Sequence, residues 1–233
     1  MNDWLYDKWG VGLQALGRFL RETLYPEGAL CLGCGKISDG RPLCPACRES
    51  LRSDGAAFAW QFTDLQGLPA YSLREHRDLP RQLVLRLKHR AEACLAREMA
   101  EILLPLPAFW SPPPGTVVTW VAMPASRRRE RGIDHGQRLA EAFAEKLNLP
   151  CRPLLLRRDT RHRAQATLNR TRRKQNLRQV FEPLGPITFP VLLVDDVLTT
   201  GTTALRCAEA LRKGGATDIT ALTFTRAVGR RNR

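Results

Sequence analysis

Residues 191–204, VLLVDDVLTTGTTA, set two adjacent carboxylates, Asp195 and Asp196, just ahead of a Thr and Gly loop. The apolar run before the acids reads as a buried strand and ALRCAEALRK after the loop reads as a helix. That order puts the acids at the carboxyl edge of a sheet, where open α/β folds bind ligands. The loop Thr199, Thr200, Gly201, Thr202 and Thr203 offers hydroxyls and N–H groups to a dianionic phosphate. Gly201 permits the tight turn, and the helix starting near Thr203 adds its positive end. Two acids beside a phosphate cradle repel the phosphate unless they accept hydrogen bonds from hydroxyls or bind Mg²⁺. A phosphorylated sugar with vicinal hydroxyls answers both needs. The bland alternative is a capping pair followed by an ordinary turn. The order of strand, acids, loop and helix favours the pocket.

A second constellation is Cys31-x2-Cys34 and Cys44-x2-Cys47, two CxxC knuckles with Gly33 and Gly35 in the first and Pro45 in the second. Four thiolates at this spacing suit a closed tetrahedral zinc site with no open position for water, so the metal is expected to be structural. The other cysteines, Cys94, Cys151 and Cys207, stand alone and read as small buried hydrophobes. The third feature is charge. The net charge is +14, and residues 126–178 hold 16 Lys or Arg against 5 Asp or Glu. A surplus gathered in about a quarter of the chain implies a basic face for a phosphate-rich partner, with nucleic acid the leading class.

The elements that must position these groups follow from periodicity. Leu5, Trp9, Leu13, Leu16, Phe19 and Leu20 recur at helical spacing and predict an amphipathic helix ending before Pro26. AAFAWQF and LPAYSL predict a hairpin turning around Asp64 to Gly67, and residues 78–90 and 91–104 read as helical. Beyond the proline-rich stretch at 105–114, strands at TVVTWVAM, CRPLLL, PVLLVDD and TDITALTF alternate with helices at 134–148 and 203–213. Continuous apolar strands between helices predict an α/β domain whose parallel sheet is covered on both faces. The expected organisation is an N-terminal helix over 1–27, a four-cysteine zinc module over 28–52, the sheet domain over 53–226 and a basic tail over 227–233. Apolar runs fall far short of the ~20 residues of a spanning helix. The N-terminus carries Asp3 and Asp7 where a secretory signal carries basic charge. A cytoplasmic protein is expected.

The 191–204 stretch resembles the phosphoribosyl pyrophosphate motif of type I phosphoribosyltransferases, with its buried strand, two acids and TTGxT loop. That resemblance implies that Asp195 and Asp196 face the ribose hydroxyls and that Thr199 to Thr203 hold the 5′-phosphate, with magnesium accompanying the pyrophosphate. Leu87-Lys88, then MPASRRRERGIDHGQRLA, then QATLNRTRRKQNLRQVF, taken with the cysteine doublet and the phosphate loop, resemble the ComF family of bacterial competence proteins over roughly residues 28–226. The family pattern corresponds to Lys88, Pro124, Arg128, Arg131, Gly132, Gln165, Leu168, Arg173, Asn176 and Phe181. Where relatives carry RGFNQ this chain reads RGIDH, so Asp134 and His135 stand at the Asn and Gln positions.

The resemblance implies a cytoplasmic protein of natural transformation that acts on incoming single-stranded DNA, with a DNA-uptake helicase as a possible partner. Lys88, Arg128, Arg131, Arg172 and Arg173 are the candidate contacts to pyrophosphate or DNA phosphate. Trp60, Trp110 and Trp120 are stacking surfaces only where exposed, and core burial is the default for each. Two other functions fit the same residues. One is an active phosphoribosyltransferase with a small acceptor, although no base-selecting segment is recognisable. The other is a ligand sensor whose basic face binds RNA.

Overall fold

The computed structural model describes residues 29–53, 61–90, 94–103, 111–131, 134–157 and 180–227. The amphipathic segment 1–27, Trp60, Trp110, Gly132, the basic stretch carrying Gln165, Leu168, Arg172, Arg173 and Asn176, and the tail beyond 227 lie outside these residues. The chain divides into two compact units, residues 1–50 and 51–233.

In the first unit, Leu30 and Ile37 form an antiparallel bridge around the Cys31 knuckle. Gly35 N–H donates to Cys31 O at 2.8 Å and takes φ +75°, the left-handed conformation that favours glycine. Helix α1 (Pro45–Ser53) opens directly after Cys44. Pro45 suits the first helical position because its missing N–H would have no partner there.

The second unit is built on a five-stranded sheet. In chain order its elements are β1 (Gln61–Asp64), β2 (Pro69–Glu75), α2 (Asp78–Arg90), α3 (Cys94–Leu103), β3 (Val117–Trp120), α4 (Ala125–Arg131), α5 (His135–Leu147), β4 (Leu155–Arg157), β5 (Phe181–Pro183), β6 (Val191–Leu198), α6 (Thr202–Lys213) and β7 (Ile219–Arg226). Strand order is β1-β2-β7-β6-β3. The β2·β7, β7·β6 and β6·β3 pairs are parallel, and β1 joins the edge antiparallel through the expected hairpin. The parallel α/β class is therefore as the alternating pattern predicts.

Burial explains why the strands read as continuous apolar runs. Leu193, Ala221 and Ala70 pack with Cys207, Ala208 and Leu211 of α6 in one core. Leu192, Val194, Leu222 and Phe224, of opposite parity on the same strands, are equally buried. Sheet residues alternate between faces, so both faces are covered.

Three local expectations change. CRPLLL does not add a strand to the main sheet: Cys151 makes one isolated parallel bridge to Val118, and Leu155–Arg157 pairs antiparallel with Phe181–Pro183 in a separate ribbon. The strand within TVVTWVAM spans only Val117–Trp120, because a new helix, α4, starts at Ala125. Finally, β6 does not stop at the acids but runs through them to Leu198. Trp120 is buried at 9% exposure, so it offers no stacking surface. Cys207 is fully buried, and Cys94 and Cys151 are partly so.

Candidate functional site

The carboxyl ends of the parallel strands share one edge of the sheet, and the chemistry collects there. The loop 199–201 follows β6 and enters α6 at Thr202. Gly201 caps that helix with φ +75°, and its missing side chain matters: a Cβ there would meet Leu65 Cδ2 at 2.7 Å and Cδ1 at 2.9 Å. Leu65 belongs to the β1–β2 turn, so the hairpin packs onto the loop. Thr199, Thr200, Thr202 and Thr203 are exposed. Thr200 and Thr202 hydroxyls hydrogen-bond to each other at 2.9 Å, and Thr202 N–H donates to Thr200 Oγ1 at 3.4 Å.

Beneath the loop lies a small open cleft, with a volume of about 30 Å³, lined by Asp195, Thr199, Gly201, Thr203 and Thr223 among others. Asp195 Oδ1 accepts from Asp196 N–H at 2.9 Å. Burial, and then the neighbouring Asp196 charge, push the Asp195 carboxyl up to about 7. It is thus a carboxyl group poised between its two protonation states near neutrality.

Asp196 lies elsewhere. A strand passing through both acids must send consecutive side chains to opposite faces. Asp196 is 3% exposed, with Lys88 Nζ at 2.9 Å from Oδ1 and His135 Nε2 at 3.3 Å from Oδ2. Burial alone would raise its pKa, but His135 and Lys88 outweigh that and hold it below the ordinary carboxylate value. The His135 approach falls off hydrogen-bond geometry, so Asp196 Oδ2 and His135 Nδ1 are buried without hydrogen-bond partners among the described residues. The two acids therefore do not stand side by side toward one sugar diol: Asp195 faces the cleft, and Asp196 anchors a buried ionic cluster.

Lys88, expected as a pyrophosphate contact, has its ammonium on Asp196, with its side chain 27% exposed. Arg128 is exposed on α4, between exposed Arg127 and Arg129, and Arg131 closes that helix. Because β3 neighbours β6, α4 follows the strand next to the one that leads into the 199–201 loop. Asp134 caps α5, accepting from Gln137 N–H at 3.2 Å, and His135 is the helix's first residue. The Asp134–His135 pair thus starts a helix and reaches Asp196. Pro124 and Phe181 are buried. Sequence reasoning missed His76, whose Nδ1 lies 2.9 Å from Thr225 Oγ1 at the same edge. The available signal was a histidine, one of four in the chain, directly between a strand and a helix.

The cysteines converge as their spacing predicts. The Sγ atoms of Cys31, Cys34, Cys44 and Cys47 all lie within 4.8 Å of one another and can hold a metal ion. Cys34 and Cys44 Sγ are 3.8 Å apart, the separation of two ligands on a tetrahedron with ~2.3 Å bonds. Gly33 and Cys44 N–H groups each donate to Cys31 Sγ at 3.3 Å. Burial raises the Cys31 thiol's pKa, but these and related backbone donors prevail and bring it down to about 6. Cys47 is pushed far up by burial and by the other three sulfurs.

No protein-family model matches the chain. A curated protein from Salmonella typhi, DNA utilization protein YhgH, is 28% identical over 218 residues, covering 91% of this chain and 88% of that one. Among solved structures, the glutamine phosphoribosylpyrophosphate amidotransferase of B. subtilis aligns at 15% identity and TM-score 0.37, covering 76% of this chain, which spans only 30% of that enzyme. The adenine phosphoribosyltransferase of Leishmania donovani aligns at 14% identity and TM-score 0.39, covering 74% of this chain and 93% of that one.

Proposed function

We propose that the chain binds a phosphoribosyl pyrophosphate-like ligand at the carboxyl edge of its sheet and single-stranded DNA on its basic face, as a cytoplasmic protein of DNA uptake. The observation that carries the ligand half is the cleft in which Asp195 meets Thr199, Gly201 and Thr203. The 5′-phosphate sits in the loop, on the N–H groups and hydroxyls that open α6. Asp195 would accept from a ribose hydroxyl and would help hold a magnesium ion carried on the pyrophosphate, which would supply neutralisation of the pyrophosphate charge. Asp196 acts indirectly, fixing the end of β6 through Lys88 and His135. Arg128 and Arg131, on the helix that follows β3, are the proposed contacts to the pyrophosphate.

Support for the DNA half is the basic concentration at 126–178, with Arg172 and Arg173 at its densest point, the exposed arginines of α4, and the DNA-utilization name of the 28%-identical relative. The four-cysteine module is assigned zinc, on its all-sulfur ligand set and the 3.8 Å sulfur separation. Calorimetry with phosphoribosyl pyrophosphate and Mg²⁺ tests the pocket: Asp195→Asn is expected to weaken binding at least tenfold with zinc content unchanged, and equal affinity removes the assigned role. A titration of an oligonucleotide with and without the sugar phosphate reports whether the two sites overlap. A second reading, active ribosyl transfer to a small acceptor, is favoured by one observation: exposed arginines lie on α4, the helix that follows the strand next to β6.

A further inference from the structure

The edge that carries the phosphate loop also carries an imidazole whose tautomer the structure fixes. His76 follows β2 directly, and its backbone N–H donates to Arg226 O at 2.7 Å, extending the β2–β7 ladder to the edge. Thr225 Oγ1 donates its hydrogen to the carbonyl of Asp196 at 3.2 Å. A hydroxyl has one hydrogen, so the 2.9 Å contact to His76 must run the other way, with Nδ1–H donating to Thr225 Oγ1. The proton of the neutral ring is thereby assigned to Nδ1, and Nε2 carries the lone pair. Among the described residues Nε2 has no hydrogen-bond partner, and it is not one of their buried unpaired atoms.

The charged groups around the ring keep it neutral. Burial first, then Lys88 and Arg81 of α2, hold its pKa below 6.5, opposed only by Asp196 of β6. Glu75 at the end of β2 is engaged by Arg77 at 2.9 Å, and Arg226 ends β7.

Sheet order then places this base relative to the loop. β6 is flanked by β3, leading to the arginines of α4, and by β7 and β2, leading to His76. Two strand spacings separate the ends of β6 and β2, on the order of 10 Å. An inverting substitution at C1′ of a ribose held by its 5′-phosphate has the incoming group on the opposite side from the departing pyrophosphate. Arginines on one flank and an unprotonated nitrogen on the other supply those two sides.

We infer that His76 is the proton acceptor for the incoming nucleophile in a ribosyl transfer at this edge, an inference that rests on the phosphoribosyl reading of the pocket. An N–H or O–H nucleophile gives its electron pair to C1′, and the bond from C1′ to the pyrophosphate oxygen breaks with its pair leaving on pyrophosphate. The nucleophile's proton passes to Nε2, and the imidazolium, beside Lys88 and Arg81, returns it to solvent. Thr225 is a positioning residue that holds the ring in the accepting tautomer.

The test uses the full chain with phosphoribosyl pyrophosphate and Mg²⁺, and a panel of acceptors comprising adenine, orotate, ammonia and water. His76→Gln is expected to bind the sugar phosphate within about twofold of wild type. Its pyrophosphate release should fall ~10²- to 10⁴-fold, with the acidic limb of the kcat–pH profile lost. Nitrogen-15 spectra of the wild-type histidines should show His76 protonated at Nδ1 and bare at Nε2, a readout that needs no variant to fold. An Nε2-protonated ring, an unchanged rate in His76→Gln, or no pyrophosphate release with any acceptor despite calorimetric binding overturns the inference and leaves the pocket standing. Absence of sugar phosphate binding by the wild type overturns the pocket itself.

Discussion

Replacing Lys88 by Met keeps a long apolar stem but removes the ammonium 2.9 Å from Asp196 Oδ1. Asp196 is 3% exposed and cannot recover hydration, and the remaining contact, His135, is not aligned as a hydrogen bond. Removing one partner of a buried pair costs ~3–5 kcal/mol. The Lys88 side chain keeps 27% of its surface in solvent, which places the expected loss near the lower end, about 3 kcal/mol at pH 7.5. For a unit of this size that is a fall of ~6–12 °C in Tm. The loss should depend on pH with a definite sign. In the wild type the Asp196 pKa is depressed, so its contribution is present above 3.8 and is lost only as pH falls through the lower folded value. Without Lys88, burial dominates and the folded pKa rises. The variant's deficit then grows as pH rises from the wild type's lowered value up to the variant's raised value, and is level above it. Asp196→Asn in the same background should remove most of the deficit, because the neutral amide needs no counter-charge. Urea unfolding followed by far-UV circular dichroism between pH 4.5 and 8 measures all four members of the cycle. A Lys88→Met deficit that is flat with pH, or equally large in the Asp196→Asn background, would refute the buried ionic cluster.

Gly201→Ala should destabilise by ~2–4 kcal/mol, combining the left-handed φ with the clash against Leu65, and Leu65→Ala should recover the steric part but not the backbone part, as a double-mutant cycle of melts will show. Asp195→Asn should stabilise the sheet unit by ~1–3 kcal/mol at pH 8 and by little at pH 4: its raised pKa of about 7 makes the wild type lose stability as pH rises from 3.8 through 7. The same variant should lose sugar phosphate binding, separating function from stability. Elemental analysis should find one zinc per chain, lost in Cys44→Ser. A strong chelator should expose the amides of residues 29–50 to hydrogen exchange while those of β6 and β7 stay protected. Arg172→Ala with Arg173→Ala should lower the slope of log affinity against log salt for single-stranded DNA by ~1.4; an unchanged slope removes them from the DNA contact.

What the sequence alone determined is what depends on local order and composition. VLLVDD, TTGTT and ALRCAEALRK specify strand, turn and helix by apolar runs, a left-handed Gly201 and helical spacing, and neighbours in sequence stay neighbours in space. The cysteine doublet was legible for the same reason: two short knuckles bring four thiols together with little freedom to do otherwise. Alternation of strand and helix fixed the α/β class because only a sheet covered on both faces buries such runs. Tertiary structure decided the rest. Whether β6 ends before or after Asp195 and Asp196 is settled by pairing with β7 through Arg226, and that pairing sends the two acids to opposite faces. Lys88 and His135 meet on Asp196 only because α2 and α5 pack on one face of a strand more than sixty residues farther along the chain. After one bridge from Cys151 to the main sheet, residues 155–157 pair with 181–183 in a separate ribbon, a choice between long-range partners that a short apolar run does not encode. His76 acquired a defined tautomer from Thr225, 149 residues away. Periodicity reports which side of an element is apolar; which partner meets it is set by the packing of the whole chain.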